Sequence, residues 1–289
     1  MGLLLLLLLA LLLILTAGAF AIACRLRRPP RKTYAVALAR GLPTDPEQIG
    51  RPSTELTLRL ANGHDSPAWL IPGDQPQGPV VILIHGFGDS RLGQLTWAHL
   101  FTPHASQLLL FDLPGHGEAD GTCQLGTREA DDIINILDQI DTTQGVVLFG
   151  YSMGAGIAIA AAASQDPRIK AVIADGPYPR WHQPVANFLR ARRWPVVLLL
   201  PLTAVALRLL NPRWQPYDRV EQARHLSCPL LVLHGRHDPI CHYDDAVTIA
   251  SAAPQGQLIE FPDSSHLDLA HRDETRYRTA LKNLFDNLN

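Results

Sequence analysis

The segment VVLFGYSMGAG, residues 146–156, sets one serine between two glycines directly after an uninterrupted apolar run. A hydroxyl on a sharp turn from a buried strand into a helix projects to where a substrate can reach it. Such a turn strains the serine, and side chains two residues to either side would collide across it, which accounts for Gly150 and Gly154. The small residues Ala155, Gly156, Ala158 and Ala160 let the next helix lie close to the sheet. Its N-terminus then directs a positive dipole end at negative charge developing beside Ser152. The chemistry this pattern offers is nucleophilic attack by Ser152; the competing explanation is a purely structural Gly-Ser-Gly turn.

The elements around this segment repeat one design. PVVILIHG (residues 79–86), QLLLFDLPGHG (107–117), GVVLFGYS, KAVIADGP and PLLVLHGRHD are continuous aliphatic runs that end in turn residues. Runs of this kind are strands covered on both faces, as in a parallel sheet. Amphipathic stretches separate them. TREADDIINILDQI carries Ala130, Ile133, Ile134, Leu137 and Ile140 on one face, and YRTALKNLF carries Tyr277, Leu281, Leu284 and Phe285. Alternation of strand and helix predicts an α/β open, mostly parallel sheet. TELTLRL, an Asn62-Gly63 turn and SPAWLIPG predict a hairpin leading into it. Residues 177–226 contain no strand pattern and predict a helical cap inserted between two late strands. In such a sheet ligands bind beyond the carboxyl ends of the strands, where Ser152 would sit.

GYSMG after an aliphatic strand, with HGFG upstream, HGRHD downstream and SSHLD near the end, resembles the α/β-hydrolase fold serine enzymes over residues 53–289. An isolated GxSxG is a weak signal, but between this strand and this helix, with its partners in order, it is a strong one. The resemblance implies a triad ordered serine, acid, histidine: Ser152 as nucleophile, Asp238 as orienting acid and His266 as base. Asp175, past the preceding strand, is the alternative acid, and His271 the alternative base, a turn further along. The backbone N–H groups of Phe87 and Met153 are the oxyanion donors that the resemblance assigns. His85 and His116 are expected to hydrogen-bond their own loops. His234, His237, Asp238 and His242 lie close in sequence, but neighbouring side chains that point apart make a poor tetrahedral site, so no metal is expected. No glycine loop ending in Lys-Ser/Thr is present, and no cofactor is expected. The implied reaction is acyl transfer through an acyl-serine, with a carboxylic ester, esterase- or lysophospholipase-like, as the foremost substrate class. Amide, peptide and thioester hydrolysis and acyl transfer use the same parts. A catalytically silent, membrane-tethered binding module is the reading from another class.

The first 24 residues, GLLLLLLLALLLILTAGAFAIAC after the initial Met, carry no charge. About 20 apolar residues in a helix span the roughly 30 Å hydrocarbon core of a bilayer. Residues 1–24 are therefore expected to be a transmembrane anchor and 25–52 a basic, proline-containing linker, ahead of the domain at 53–289. Arg25, Arg27, Arg28, Arg31 and Lys32 follow the apolar run, which favours a cytoplasmic domain. A lipoprotein-type cleavage box ending at Cys24 and a cleaved or inverted segment are the rival readings. The net charge of −2 on 289 residues supplies no basic field for nucleic acid. Cys24, Cys123, Cys228 and Cys241 form no CxxC pair and suggest no disulfide framework.

Overall fold

A computed structural model describes residues 2–288; Met1 and Asn289, the outer limits of the expected anchor and domain, lie outside the described residues. Eight strands form one sheet in the order β1-β2-β4-β3-β5-β6-β7-β8. These are β1 (Thr54–Arg59), β2 (Asp65–Pro72), β3 (Val80–Ile84), β4 (Gln107–Phe111), β5 (Val146–Tyr151), β6 (Ile169–Asp175), β7 (Leu230–Gly235) and β8 (Gly256–Phe261). β1 and β2 form the expected antiparallel hairpin, and β2 also pairs antiparallel with β4. Every other neighbouring pair is parallel.

The aliphatic runs form strands because each face of the sheet is covered. All of β3, β5 and β7 is buried. Alternate residues serve opposite cores: Val80, Ile82, Val146, Leu148 and Val232 join one cluster, and Val81, Leu83, Val147, Phe149 and Leu233 the other. That is the period of two expected of extended backbone.

Among the described residues, seven helices have nine or more residues: α1 (Gly2–Arg27), α2 (Glu129–Leu137), α3 (Met153–Ala162), α4 (His182–Ala191), α5 (Val196–Leu210), α6 (Tyr243–Ala252) and α7 (Glu274–Asp286). Met153, Ala155 and Ile157 of α3 fill the first core, and Tyr277, Leu281 and Phe285 of α7 fill the second. Between β6 and β7 the chain is helical, with α4, α5 and a short helix Arg219–Arg224. This is the expected cap. α1 is long and apolar enough to cross a membrane. It packs its C-terminal half on the cap: Leu15, Ala19 and Ile22 meet Leu189, Leu199 and Leu202. Pro29 and Pro30 follow its end, where a residue without an amide hydrogen suits a helix stop.

Candidate active site

The strand order reverses at β3. From β3 the chain crosses to β4 on one side, and β5 then adds to β3 on the other. A switch of this kind opens a crevice beyond the carboxyl ends of the two strands. The turn after β5 holds Ser152, and the turn after β3 holds Gly86 and Phe87, so the topology brings Ser152 and the HGFG loop side by side. A methyl group built on Gly86 would lie 3.3 Å from the Tyr151 carbonyl and 3.4 Å from Ser152 Cβ. Glycine suits this close approach of the two turns, since a larger residue would press on both neighbours.

Ser152 has φ 54° and ψ −116°, in a region that side chains with a Cβ rarely enter. The flanking glycines explain how the chain tolerates it. A Cβ at Gly154 would fall 2.0 Å from the Ile84 carbonyl oxygen, and one at Gly150 would fall 2.2 Å from that of Gly154. The strand therefore turns into α3 with no room for a side chain at either place, and the Ser152 N–H is held by the Asp175 carbonyl at 2.8 Å.

Three of the expected side chains meet here. His266 Nδ1 lies 2.6 Å from Asp238 Oδ2, and His266 Nε2 lies 3.1 Å from Ser152 Oγ. With Nδ1–H donated to the carboxylate, Nε2 carries the lone pair that can accept the serine proton. Asp238 is fixed in turn, since its Oδ1 accepts from the N–H groups of Ile240 and Cys241, both at 2.8 Å. Burial opposes its ionisation, but the His266 hydrogen bond and charge and those two N–H groups outweigh it and hold the carboxyl below its usual range. Asp238 is thus an anion at neutral pH. Gly176 lies beside the imidazole: a Cβ there would make ordinary contact with the His266 ring at 3.5 Å.

The alternatives fall elsewhere. Asp175 is buried and accepts from Tyr277 Oη at 3.0 Å through Oδ2, while its Oδ1 has no partner. Burial pushes its pKa up to about 7, against the pull of Tyr277 and of His266. His271 is exposed on a short helix, Leu269–Arg272. His85 lies in its loop, with Nδ1 on the Gly86 carbonyl at 2.8 Å and Nε2 accepting from Leu113 N–H at 3.0 Å. His116 Nδ1 meets the Pro114 carbonyl at 3.1 Å. Among the described residues, the backbone N–H groups of Phe87 and Met153 donate to no protein acceptor. They are available to a ligand. Of the sequence cluster weighed for metal, only Asp238 belongs to a set of converging ligand atoms, shared with Cys241 and His266. Asp238 and His266 are already committed to each other, and burial keeps the Cys241 thiol protonated, its pKa well above the usual value.

Two contributors escaped the sequence reading. Gly176 was visible only as the end of a strand run. Asp89, in the HGFGDS loop, accepts from Tyr151 Oη at 3.1 Å and pairs with Lys32 Nζ at 2.6 Å. No spacing rule links residues 32, 89 and 151, because the three meet only in the fold.

Residues 81–276 match the family model described as the Alpha/beta hydrolase family. Over 246 residues the chain is 24% identical to the uncharacterized protein YqkD of Bacillus subtilis, covering 82% of this chain and 80% of that one. It is 22% identical to the lysophosphatidylserine lipase ABHD12 of Rattus norvegicus, over 70% of this chain and 53% of the lipase. It is 26% identical to the esterase FrsA of Escherichia coli O157:H7, over 66% of this chain and 49% of the esterase. The chain thus spans about half the length of these lipase and esterase relatives. Among solved structures, the esterase Pf2001 of Pyrococcus furiosus superposes with a TM-score of 0.71 at 16% identity, over 90% of this chain and 96% of that one. A thermophilic esterase of Thermogutta terrifontis gives 0.61 at 21% identity, over 81% and 99%.

Proposed function

The chain belongs to the alpha/beta hydrolase family, and from that premise we propose that it is a membrane-anchored serine hydrolase of carboxylic esters, esterase- or lysophospholipase-like. The observation that carries the reading is the run of contacts from Asp238 through His266 to Ser152, at 2.6 and 3.1 Å, ending on a serine in a strained turn.

In the reaction, Ser152 Oγ attacks the ester carbonyl carbon while His266 Nε2 takes its proton. The carbonyl oxygen gathers negative charge and receives the N–H groups of Phe87 and Met153, donors already free of other partners. His266 then delivers the proton to the alkoxide as its bond to the carbonyl carbon breaks; the alcohol leaves and the acyl group stays on Ser152. Water repeats the sequence with His266 as base and releases the acid. Asp238 keeps the imidazole in the tautomer this needs and offsets its transient charge.

An apolar acyl group suits what surrounds the triad. Phe87, 39% exposed, and Ile240, 41% exposed, are large apolar side chains on the loops of Gly86 and Asp238. A membrane-bound setting is supported by the surface that α1 and α5 share. Leu3 to Leu9 of α1 are all more than half exposed, and Val197, Val205 and Leu209 of α5 are exposed apolar residues of the cap. The esterase and lipase relatives add weight to ester chemistry. A fluorophosphonate probe tests the proposal: it is expected to label the full-length chain, and Ser152→Ala to abolish labelling. A folded wild-type protein that stays unlabelled would remove the hydrolase reading and favour a silent binding module.

A further inference from the structure

The strand-to-helix turn at Ser152 is rigid, but the facing loop is not held by the sheet alone. His85 fixes its near end through Leu113, and Arg91 fixes its far end, with the Arg91 N–H and Nη1 on Asp112 at 2.7 and 2.5 Å. Between them lies the tip, Phe87-Gly88-Asp89, which carries one of the two free N–H groups. Part of what holds the tip comes from outside the domain, beside the Asp89 N–H on the Gly86 carbonyl at 3.2 Å and the Phe87 ring on His116. Lys32 Nζ reaches Asp89 Oδ1 at 2.6 Å with both side chains largely shielded from solvent. Ser90 Oγ donates to the Lys32 carbonyl at 2.8 Å. A Cβ on Gly88 would sit 3.6 Å from the Pro30 carbonyl oxygen. On its inner side Asp89 accepts from Tyr151, the residue before the nucleophile.

The linker is tethered at its other end too. The Arg27 carbonyl accepts from Cys123 N–H at 3.0 Å, and its guanidinium donates to the Leu210 carbonyl at 2.7 Å and Thr122 Oγ1 at 2.9 Å. Cys123 Sγ lies 3.8 Å from Met153 Sδ, beside the second free N–H. The segment from Arg27 to Lys32 is therefore a strap that touches the 86–90 loop directly and reaches the Met153 side chain through Cys123.

We propose that Lys32 is a positioning residue for acylation: through Asp89 it presses the tip of the 86–90 loop onto the nucleophile strand and fixes the Phe87 N–H where the oxyanion forms. The inference rests on the serine-hydrolase reading. Lys32 touches no reacting atom, so its effect belongs to turnover and not to substrate binding. Losing an oxyanion donor outright costs about 10²–10³-fold in turnover. Loosening the loop that carries one is expected to cost about tenfold.

The test uses the full-length chain in nanodiscs, a p-nitrophenyl ester and the fluorophosphonate probe. Lys32→Met is expected to lower kcat about tenfold with KM changed less than twofold, and to slow labelling while leaving its final stoichiometry whole. Lys32→Arg, which keeps the charge, should restore kcat to within twofold. Arg31→Met, an exposed charge loss next door, should leave both constants alone. A purely structural salt bridge would instead lower Tm in Lys32→Met and spare kcat at temperatures well below the transition. That result, or an Lys32→Arg variant as slow as Lys32→Met, would overturn the proposal. Absence of labelling in the wild type would overturn the hydrolase reading itself, and this inference with it.

Discussion

Replacing Ser152 by glycine and by alanine separates the turn's strain from its chemistry. Both variants lose the hydroxyl and leave His266 Nε2 without its 3.1 Å partner, so those losses cancel in the comparison. What remains is the backbone at φ 54°, ψ −116°. A residue with a Cβ held in such a sparsely populated region costs about 1–3 kcal/mol. Glycine escapes that cost but loses more conformational freedom on folding, about 0.5–1 kcal/mol relative to alanine. Taking about 2 against about 0.75 leaves Ser152→Gly the more stable of the two by about 1 kcal/mol, a Tm difference of about 2–4 °C for a domain of this size. At an ordinary strand or helix position the sign is the reverse. Thermal unfolding of the two full-length variants, side by side in one detergent, measures it. An alanine variant equal to or more stable than the glycine variant would refute the claim that the turn is strained.

Two further substitutions divide the acids. Asp238→Asn is expected to lower kcat by about 10⁴ with the fold intact, because the amide cannot hold the His266 tautomer that leaves Nε2 free to accept; Asp175→Asn should change kcat less than tenfold. Asp175 should reveal itself in stability instead. Its folded pKa of about 7 lies above the unfolded value near 3.8, so the protonated form favours folding, and stability falls as pH rises between those limits. About three units correspond to about 4 kcal/mol at most. The Tm advantage of Asp175→Asn over wild type should therefore grow from pH 5 to pH 8, and a pH-independent difference would contradict it.

The core of the fold was legible because the strands are buried on both faces, so Val80–Ile84, Val146–Tyr151 and Leu230–Gly235 read as unbroken apolar runs. The glycines at 150 and 154 were legible for a different reason: the distances of 2.2 and 2.0 Å at which a Cβ would meet backbone leave no other residue possible. Choosing between Asp175 and Asp238 was harder. Asp175 ends β6 and Asp238 follows β7, both at the carboxyl edge of the sheet, and nothing local says which carboxylate the imidazole will face. The fold decides it by aiming Asp175 at Tyr277, a residue 102 positions away. The strap was illegible for the same reason. Lys32 reads as one more charge after an apolar helix, and its partner is known only once the loop after β3 has been set beside β5.

The strap also bounds where the chemistry can happen. From the end of α1 at Arg27 to Lys32 the chain has five residues, which reach at most about 16–18 Å when fully extended. Lys32 reaches Asp89 through its side chain, so the tip of the 86–90 loop lies within that distance plus one lysine side chain of the end of the helix proposed to span the bilayer. The headgroup and interfacial regions add some 10–15 Å to the hydrocarbon core, shared between its two faces. If α1 spans the bilayer as proposed, so short a tether keeps Ser152 within reach of the membrane surface. Within the proposed ester chemistry, the tether, the apolar cap residues and the exposed Phe87 and Ile240 suit an ester whose acyl chain begins in the membrane.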